Sequence, residues 1–343
     1  MRIALVAVVA CAHVRAPVAP PTAGVSIAVY DSVAIVDDRR WIDVAPHEPL
    51  VLHDIVPIGE LASLVVEPLT GALSVSTCTR DRLPVAAPNG AITLVADTVR
   101  CAVAGPPGRY LVRIAYGTPA LHARVSHDLA LAAQDRATLA TTIAIATPRA
   151  IAARAAAVVV YDGTPGGDHR PRELARGEIV LDGSVAVLAV PPREVAAALV
   201  RIAPPSRAES ARVWTTLVLP HLALAPGVVR VHAEGRTVAV LDLARGGDAS
   251  ALRLPLWADD ALRVRARPLP DGDDEVTVEI AVANTGDVAR EVWIEQRAPR
   301  AHHRRIERAT PAPPSARGDV LRTRLVVAPS ATEHARYTLV TAE

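Results

Sequence analysis

The chain of 343 residues contains no phenylalanine and no lysine, and aromatic residues make up only 3% of it. All 37 of its lysine-plus-arginine positions are therefore arginine. We interpret this bias as the codon usage of a GC-rich genome. Its physical consequence is a core built from valine, leucine, isoleucine and alanine, with few aromatic rings available to fill gaps.

The chain also lacks an excess of charge of either sign and lacks long apolar runs. The formal net charge is +1, whereas general nucleic-acid binding requires a basic surface that displaces counterions. We therefore expect no nucleic-acid partner. A membrane-spanning helix needs about 20 apolar residues, and we expect none. With 50% hydrophobic and 21% charged residues, the chain should fold, and its length allows two or three domains.

The first residues have the features of an export signal. Arg2 supplies a positive charge, and residues 3–10 form an uninterrupted apolar run, too short to cross a bilayer but typical of a signal core. The stretch Val8-Val9-Ala10-Cys11 resembles a bacterial lipobox, which would make Cys11 the lipidated N-terminus. Residues 12–24, rich in alanine and proline, would form a tether. The alternatives are a misassigned start codon or a hydrophobic first strand.

The chain has three cysteines, which is an odd number. Cys78 and Cys101 both lie in strand-like runs, so in an oxidising compartment they could pair as a disulfide and leave Cys11 for the lipid. The alternative is a pair of buried free thiols.

Hydrophobic residues recur mostly with a period of two, in short runs separated by glycine, proline, asparagine and aspartate. An early example is "VSIAVY" followed by "VAIVDDRRWIDV", which predicts a hairpin. The pattern predicts an all-β protein of two or three consecutive antiparallel β-sandwich domains. We place a leader and tether at 1–24, an N-terminal β domain at 25–88, a middle β domain at 89–257 and a C-terminal domain at 258–343.

The C-terminal segment has the clearest alternation of apolar and polar residues. Leu262, Val264 and Ala266 alternate with arginines, and the apolar residues of 276–282 alternate with mostly small or polar ones. These runs predict a hairpin in which Arg267 faces Glu275 and Arg263 faces Glu279.

In the following run, "REVWIEQ", we expect Val292 and Ile294 to point inward. Trp293 would then point outward as a possible surface contact. With two more strands near the C-terminus, the segment predicts an immunoglobulin-like sandwich.

Two alanine-rich segments are the best candidates for helices, "TPRAIAARAAA" at 147–157 and "REVAAALVRI" at 193–202. Proline pairs flank the second segment. We therefore expect it to form a strand or a single turn.

No motif in the chain predicts a reaction centre or a metal site. Ser126, His127 and Asp128 are adjacent, but neighbouring strand residues point to opposite faces, whereas a working triad is assembled in space. The pairs His302-His303 and Asp168-His169 lack further ligands, so we expect no metal and no cofactor. Near the first pair lies a cluster of basic residues that could contact an anion such as an acidic polysaccharide: Arg297, Arg300, Arg304, Arg305 and Arg308.

Three motifs in the second half resemble the mucoidy inhibitor A-like proteins, which are β-rich bacterial proteins of unknown function and are often exported. The motifs are "L-x-P-G" at Leu224–Gly227, "D-D-x-(apolar)-x-(apolar)" at Asp259–Val264 and "N-x-G" at Asn284–Gly286. The N-terminal hairpin also resembles that family's first domain. Family members commonly carry a long coiled coil after this domain, whereas the segment from Arg80 to Pro107 is too short and proline-rich for heptads. The resemblance brings no catalytic residues.

Together these features predict an exported, non-enzymatic envelope protein, in the periplasm or anchored as an outer-membrane lipoprotein by its lipid alone. It would bind or scaffold a surface component, either an envelope protein or an anionic polysaccharide. Two alternatives remain, a hydrolase whose site is assembled from distant residues and an accessory factor in polysaccharide export.

Overall fold

The computed structural model describes residues 22–86, 92–133, 135–146, 155–166, 170–204, 210–244, 251–270, 275–297, 304–317 and 320–341. These residues form strands joined by turns, with one 3-10 turn at Leu61–Ser63 and no α-helix. The predicted all-β class is confirmed. In this part of the chain no helix is long and apolar enough to cross a membrane.

The described residues form 23 strands. The first eleven are β1 (Gly24–Val29), β2 (Ala34–Val44), β3 (Leu50–Ile55), β4 (Val65–Pro68), β5 (Ser74–Ala86), β6 (Ile92–Ala104), β7 (Gly108–Thr118), β8 (His122–Ala133), β9 (Arg136–Ala146), β10 (Ala155–Asp162) and β11 (Arg172–Val180). The other twelve are β12 (Val185–Ala196), β13 (Ala198–Ala203), β14 (Ser210–Pro220), β15 (Gly227–Ala233), β16 (Arg236–Leu243), β17 (Ala251–Pro270), β18 (Glu275–Asn284), β19 (Arg290–Arg297), β20 (Arg304–Thr310), β21 (Ser315–Arg317), β22 (Val320–Val327) and β23 (Thr332–Thr341).

The chain forms two compact units, and each is discontinuous in sequence. Unit 1 contains the described residues of Met1–Ala123 and Ala144–Leu188, and unit 2 contains those of Arg124–Ile143 and Ala189–Glu343.

A six-stranded sheet of unit 1 has the order β11-β10-β1-β2-β7-β4. The predicted hairpin is confirmed as β1 paired antiparallel with β2. Apolar residues of both strands point to the covered face, and Val29 and Ala34 are fully buried there. The outer face carries charged pairs such as Arg113 with Asp37, 2.7 Å apart. This is the alternation expected of a sheet with one solvated face.

A three-stranded sheet of the same unit has the order β3-β6-β5 and contains the predicted disulfide. Cys78 of β5 and Cys101 of β6 are directly opposite each other, and their sulfurs are bonded at 2.01 Å. The disulfide prediction is therefore confirmed. The described residues of the segment from Arg80 to Pro107 form most of this β5–β6 pair.

A five-stranded sheet has the order β12-β9-β8-β15-β16, and its neighbouring strands β8 and β15 run parallel. Strand β15 begins at Gly227, which has φ of +156°. A Cβ atom at this position would lie 2.2 Å from the carbonyl oxygen of Val125. Only glycine allows so close an approach, which explains the glycine of the Leu224–Gly227 motif.

The largest sheet has nine strands in the order β20-β23-β18-β17-β14-β13-β19-β22-β21. Buried residues from both of its halves share one hydrophobic cluster, for example Val264 and Ile280 from one half and Val292 and Leu325 from the other. As predicted, Val292 and Ile294 point inward. The segment 193–202 forms strand, as expected from its flanking prolines. Of the other helix candidate, residues 155–157 lie in β10, and the rest lies outside the described residues.

Two finer predictions are wrong. The sheets are not purely antiparallel, because β1 pairs parallel with β10, β13 with β19 and β15 with β8. The C-terminal hairpin forms between β17 and β18, but Arg267 faces Glu279 and Arg263 faces Ala283. The register therefore differs from the predicted one by four residues. An even shift keeps every side chain on its face, so alternation alone could not exclude it.

Candidate functional site

The candidate site lies at an irregularity in the long strand β17. Pairing between β14 and β17 passes from Arg212 opposite Arg263 directly to Trp214 opposite Ala258. Residues 259–262 of β17 therefore face the single residue Val213. Such a bulge turns neighbouring side chains to new directions, and bulges are frequent beside binding and catalytic sites. Here Asp259 is buried while its neighbour Asp260 is exposed.

Asp259 holds together three elements of the nine-stranded sheet. Its Oδ2 accepts a hydrogen bond from Nε of Arg201 in β13 at 2.7 Å. Nη1 of Arg290 in β19 donates to both of its carboxylate oxygens. The backbone N–H of Ala261 donates to Oδ1 at 3.2 Å. A carboxylate taken out of water needs such partners, and removing one of them is costly.

These contacts set the protonation of Asp259. Burial alone would raise the pKa of this carboxyl, but the hydrogen bonds from Arg201 and Arg290 outweigh burial and hold the pKa below its ordinary value. Asp259 is therefore ionised at neutral pH, and its charge offsets one of the two arginine charges.

The turn at Asn284 to Gly286 is hydrogen-bonded to the bulge. The Asn284 side chain is buried, and its Nδ2 donates to the carbonyls of Val288, Val327 and Ala328. Its Oδ1 accepts the N–H of Gly286. Both the N–H and the hydroxyl of Thr285 donate to the carbonyl of Ala261, inside the bulge.

Gly286 leaves room for Arg290 to reach Asp259. A Cβ atom at this position would lie 3.1 Å from Nη2 of Arg290. The two motifs Asp259–Val264 and Asn284–Gly286 thus meet in space.

An open pocket of about 430 Å³ lies beside the bulge, in unit 2. This volume is within the usual range of small-molecule sites, about 300–1,000 Å³. Strands β13, β14, β17 and β19 line the pocket with Leu199, Val200, Arg201, Thr215, Trp257, Ala258, Asp259, Asp260, Ala261 and Arg290. We call it the bulge pocket.

Three side chains of the bulge pocket have an exposed surface or unbonded polar atoms that a ligand could contact. Trp257 is 41% exposed. Asp260 is exposed, and among the described residues no side chain or N–H bonds its carboxylate. Within the same part of the chain Arg201 donates only through Nε, so its two Nη nitrogens are available. An aromatic face, an acceptor and a forked donor therefore line one opening.

Two other tryptophans, Trp293 and Trp41, each have an arginine guanidinium over the ring. Trp293 is half-buried, its indole N–H donates to Glu291 at 3.1 Å, and the guanidinium of Arg324 lies 5.8 Å from its ring centroid. Trp41 is exposed, with Arg109 at 5.6 Å from its centroid. No described arginine covers Trp257 in this way. The sequence singled out Trp293 as the surface contact, whereas the structure makes Trp257 the more available ring.

The adjacent residues Ser126, His127 and Asp128 do not form a triad. His127 is buried, and its Nε2 lies 3.0 Å from the carbonyl of Ala225, so Nε2 carries the hydrogen and Nδ1 accepts from the Thr141 hydroxyl. Asp128 contacts His232 at 3.1 Å instead. Ser126 donates to the carbonyl of Thr142 at 3.4 Å, so the three side chains make separate hydrogen bonds.

The predicted arginine cluster is only partly described. Arg297 and Arg308 are exposed, and Arg304 and Arg305 pair with β23 at the start of β20. Other predicted positions lie outside the described residues, namely Cys11, Asp168, His169, Arg300, His302 and His303. Sequence reasoning did not select Arg201, Trp257 or Arg290 as site residues, because they come together only through the sheet order.

The fold and the bulge pocket define an all-β protein with one disulfide among its described residues and a polar pocket in its largest sheet. No protein-family model matches the chain, and no curated protein matches it.

Proposed function

We propose that the protein is an exported, non-enzymatic β-protein of the bacterial cell envelope that binds a surface component through the bulge pocket. One observation carries this proposal. The pocket presents Trp257, Asp260 and the Nη nitrogens of Arg201, three groups that the described residues leave unused. His127 is of a residue type that often acts in catalysis, but here its ring nitrogens make hydrogen bonds inside the fold.

Two features support export. The Cys78–Cys101 disulfide is of a kind that persists in oxidising compartments such as the periplasm. The segment Val8 to Cys11 resembles a lipobox, so the protein would be anchored through a lipid on Cys11. Both features support a location in the periplasm or at the outer membrane.

Two further features support the finer fold and family assignments. The hydrophobic cluster shared by both halves of the nine-stranded sheet supports an immunoglobulin-like sandwich in the C-terminal region. Two of the three motifs of the mucoidy inhibitor A-like resemblance, Asp259–Val264 and Asn284–Gly286, share one structural role because they meet at the bulge.

The test of export and anchoring is fractionation of bacterial cells with acyl-chain labelling of the wild type and Cys11→Ala. We expect wild-type protein in the membrane fraction carrying the label, and unlabelled Cys11→Ala protein. Wild-type protein in the cytoplasm with an intact Met1 would contradict the proposal.

One contact pattern favours a second candidate, a hydrolase with a site assembled from distant residues. His232 links Asp128, 3.1 Å from its Nε2, to the Thr237 hydroxyl, 3.1 Å from its Nδ1. An acid, a base and a hydroxyl in series is the arrangement of a nucleophilic site. However, Arg230 also approaches Asp128, at 3.7 Å, as in ordinary cross-strand charge pairs. Ester or glycoside hydrolysis that Thr237→Val abolishes would establish this candidate.

A further inference from the structure

The charge of the bulge pocket indicates what kind of ligand it can accept. Its charged lining consists of two arginines and two aspartates, Arg201, Arg290, Asp259 and Asp260. Asp259 is hydrogen-bonded to both arginines, and the two charged groups that face the opening, Asp260 and the partly exposed Arg201, have opposite sign. An anionic ligand would meet this carboxylate without a surplus of positive charge, so the pocket disfavours anions.

The exposed ring of Trp257 points to a ligand with an apolar face. Trp257 is directly opposite Thr215, and Thr215 is opposite Arg201, so the three side chains form a row across β17, β14 and β13. An indole face binds flat, weakly apolar surfaces and interacts favourably with C–H groups of positive partial charge. One face of a pyranose ring has these properties.

The polar groups beside the ring complete the match with a sugar. The Asp260 carboxylate accepts hydrogen bonds only, and the Nη nitrogens of Arg201 donate only. Sugar hydroxyls can donate to the first and accept from the second. Hydrogen bonds to such charged groups are stronger than neutral ones.

We infer that the bulge pocket binds a neutral saccharide, with a pyranose ring against Trp257 and its hydroxyls bonded to Asp260 and Arg201. The inference rests on the proposed function, and it specifies the surface component as a neutral glycan. It differs from the sequence-based expectation of an acidic polysaccharide, which came from the arginines between 297 and 308.

The test uses the purified full-length protein on an array of glycans that carries neutral hexose, pentose and N-acetylhexosamine chains beside uronate, sulfated and phosphorylated chains. We expect retention on neutral glycans. Affinity is then measured by calorimetry with the best neutral oligosaccharide of the array. No retention on any glycan, or preferential retention on anionic chains, would overturn the inference.

Three variants connect binding to the pocket. Trp257→Ala should weaken the affinity at least about tenfold, since it removes the stacking surface. Asp260→Asn should weaken it about tenfold, because an amide accepts more weakly than a carboxylate. The matched control is Trp41→Ala, which removes an exposed tryptophan of unit 1 and should leave the affinity within about twofold. Thermal unfolding checks that each variant is folded, and unchanged binding by both folded pocket variants would also refute the inference.

The outcomes separate this inference from the proposed function. A cytoplasmic protein overturns the envelope role whatever the array shows. The protein could also be exported and bind purified envelope material equally well as wild type and as Trp257→Ala. That result would support the envelope role and refute the saccharide pocket.

Discussion

At the residue scale, Asp259 shows how a buried charge organises this protein. Its carboxylate joins β13, β17 and β19 by accepting hydrogen bonds from Arg201, Arg290 and the N–H of Ala261. A hydrophobic residue of the same volume could fill its place, but the arginines would then lose their partner. Asp259 therefore fixes the shape of the bulge pocket, while Asp260 is left for a ligand.

We expect Asp259→Asn to lower the free energy of unfolding by about 2–4 kcal/mol, because two arginines lose a charged partner in a buried position. Urea unfolding at pH 7 measures this change. The control is Asp260→Asn, a substitution at the neighbouring exposed residue, which should change the free energy of unfolding by less than about 0.5 kcal/mol. Equal effects of the two substitutions would contradict the assigned role of Asp259.

The same contacts predict how this difference depends on pH. Hydrogen bonds from Arg201 and Arg290 hold the pKa of Asp259 in the folded protein below the ordinary value of an aspartate. Its contribution to stability is therefore fully present above the unfolded-state pKa and is lost as the pH falls below about 4. The difference in stability between wild type and Asp259→Asn should narrow as the pH falls from roughly 5 to roughly 3. A difference that stays constant would argue against an ionised Asp259.

At the scale of elements, the β5–β6 pair depends on its disulfide. Cys78 and Cys101 are separated by 23 positions in sequence, and closing a loop of this size restricts the unfolded chain. We expect the double substitution to serine to cost about 3 kcal/mol. Denaturant unfolding with and without reductant measures it, and reductant should destabilise the wild type but not the double variant.

The β17–β18–β23 register can be tested by its charges. Glu279 faces Arg267 on one side and Arg336 on the other, and its carboxylate lies 3.6 Å from Arg336. Double-mutant cycles to alanine should give a coupling of about 0.2–1 kcal/mol for Glu279 with Arg336 and about zero for Glu279 with Arg263. Coupling to Arg263 instead would restore the register expected from the sequence.

At the scale of the whole molecule, strand order differs from chain order. Strands β13 and β14 precede residue 258, yet they lie between β17 and β19 of the nine-stranded sheet. The parallel pair β13–β19 joins residues 91 positions apart, such as Ile202 and Trp293 (293 − 202). The sheet thus depends on segments that are far apart in the chain.

This order predicts the behaviour of fragments. A fragment of residues 258–343 lacks β13 and β14 and leaves β17 and β19 with unpaired edges, so we expect it to aggregate or to unfold without cooperativity. A fragment of residues 198–343 keeps both strands and should unfold more cooperatively. Size-exclusion chromatography and thermal circular dichroism compare the two. Cooperative folding of the shorter fragment alone would show that 258–343 is an independent domain.

The sequence by itself determined the all-β class, the strands around Val264 and Ile280, the N-terminal hairpin and the possibility of the Cys78–Cys101 pair. These features are local, because a period of two is written in neighbouring residues and turn residues bound each run. Only the tertiary structure decided the parallel pairings, the hairpin register and the bulge pocket. The pocket brings together residues from distant strands, namely Arg201, Trp257 and Arg290. The alternation of apolar and polar residues predicts which face of a sheet a side chain lies on, but it does not predict which strand is the neighbour.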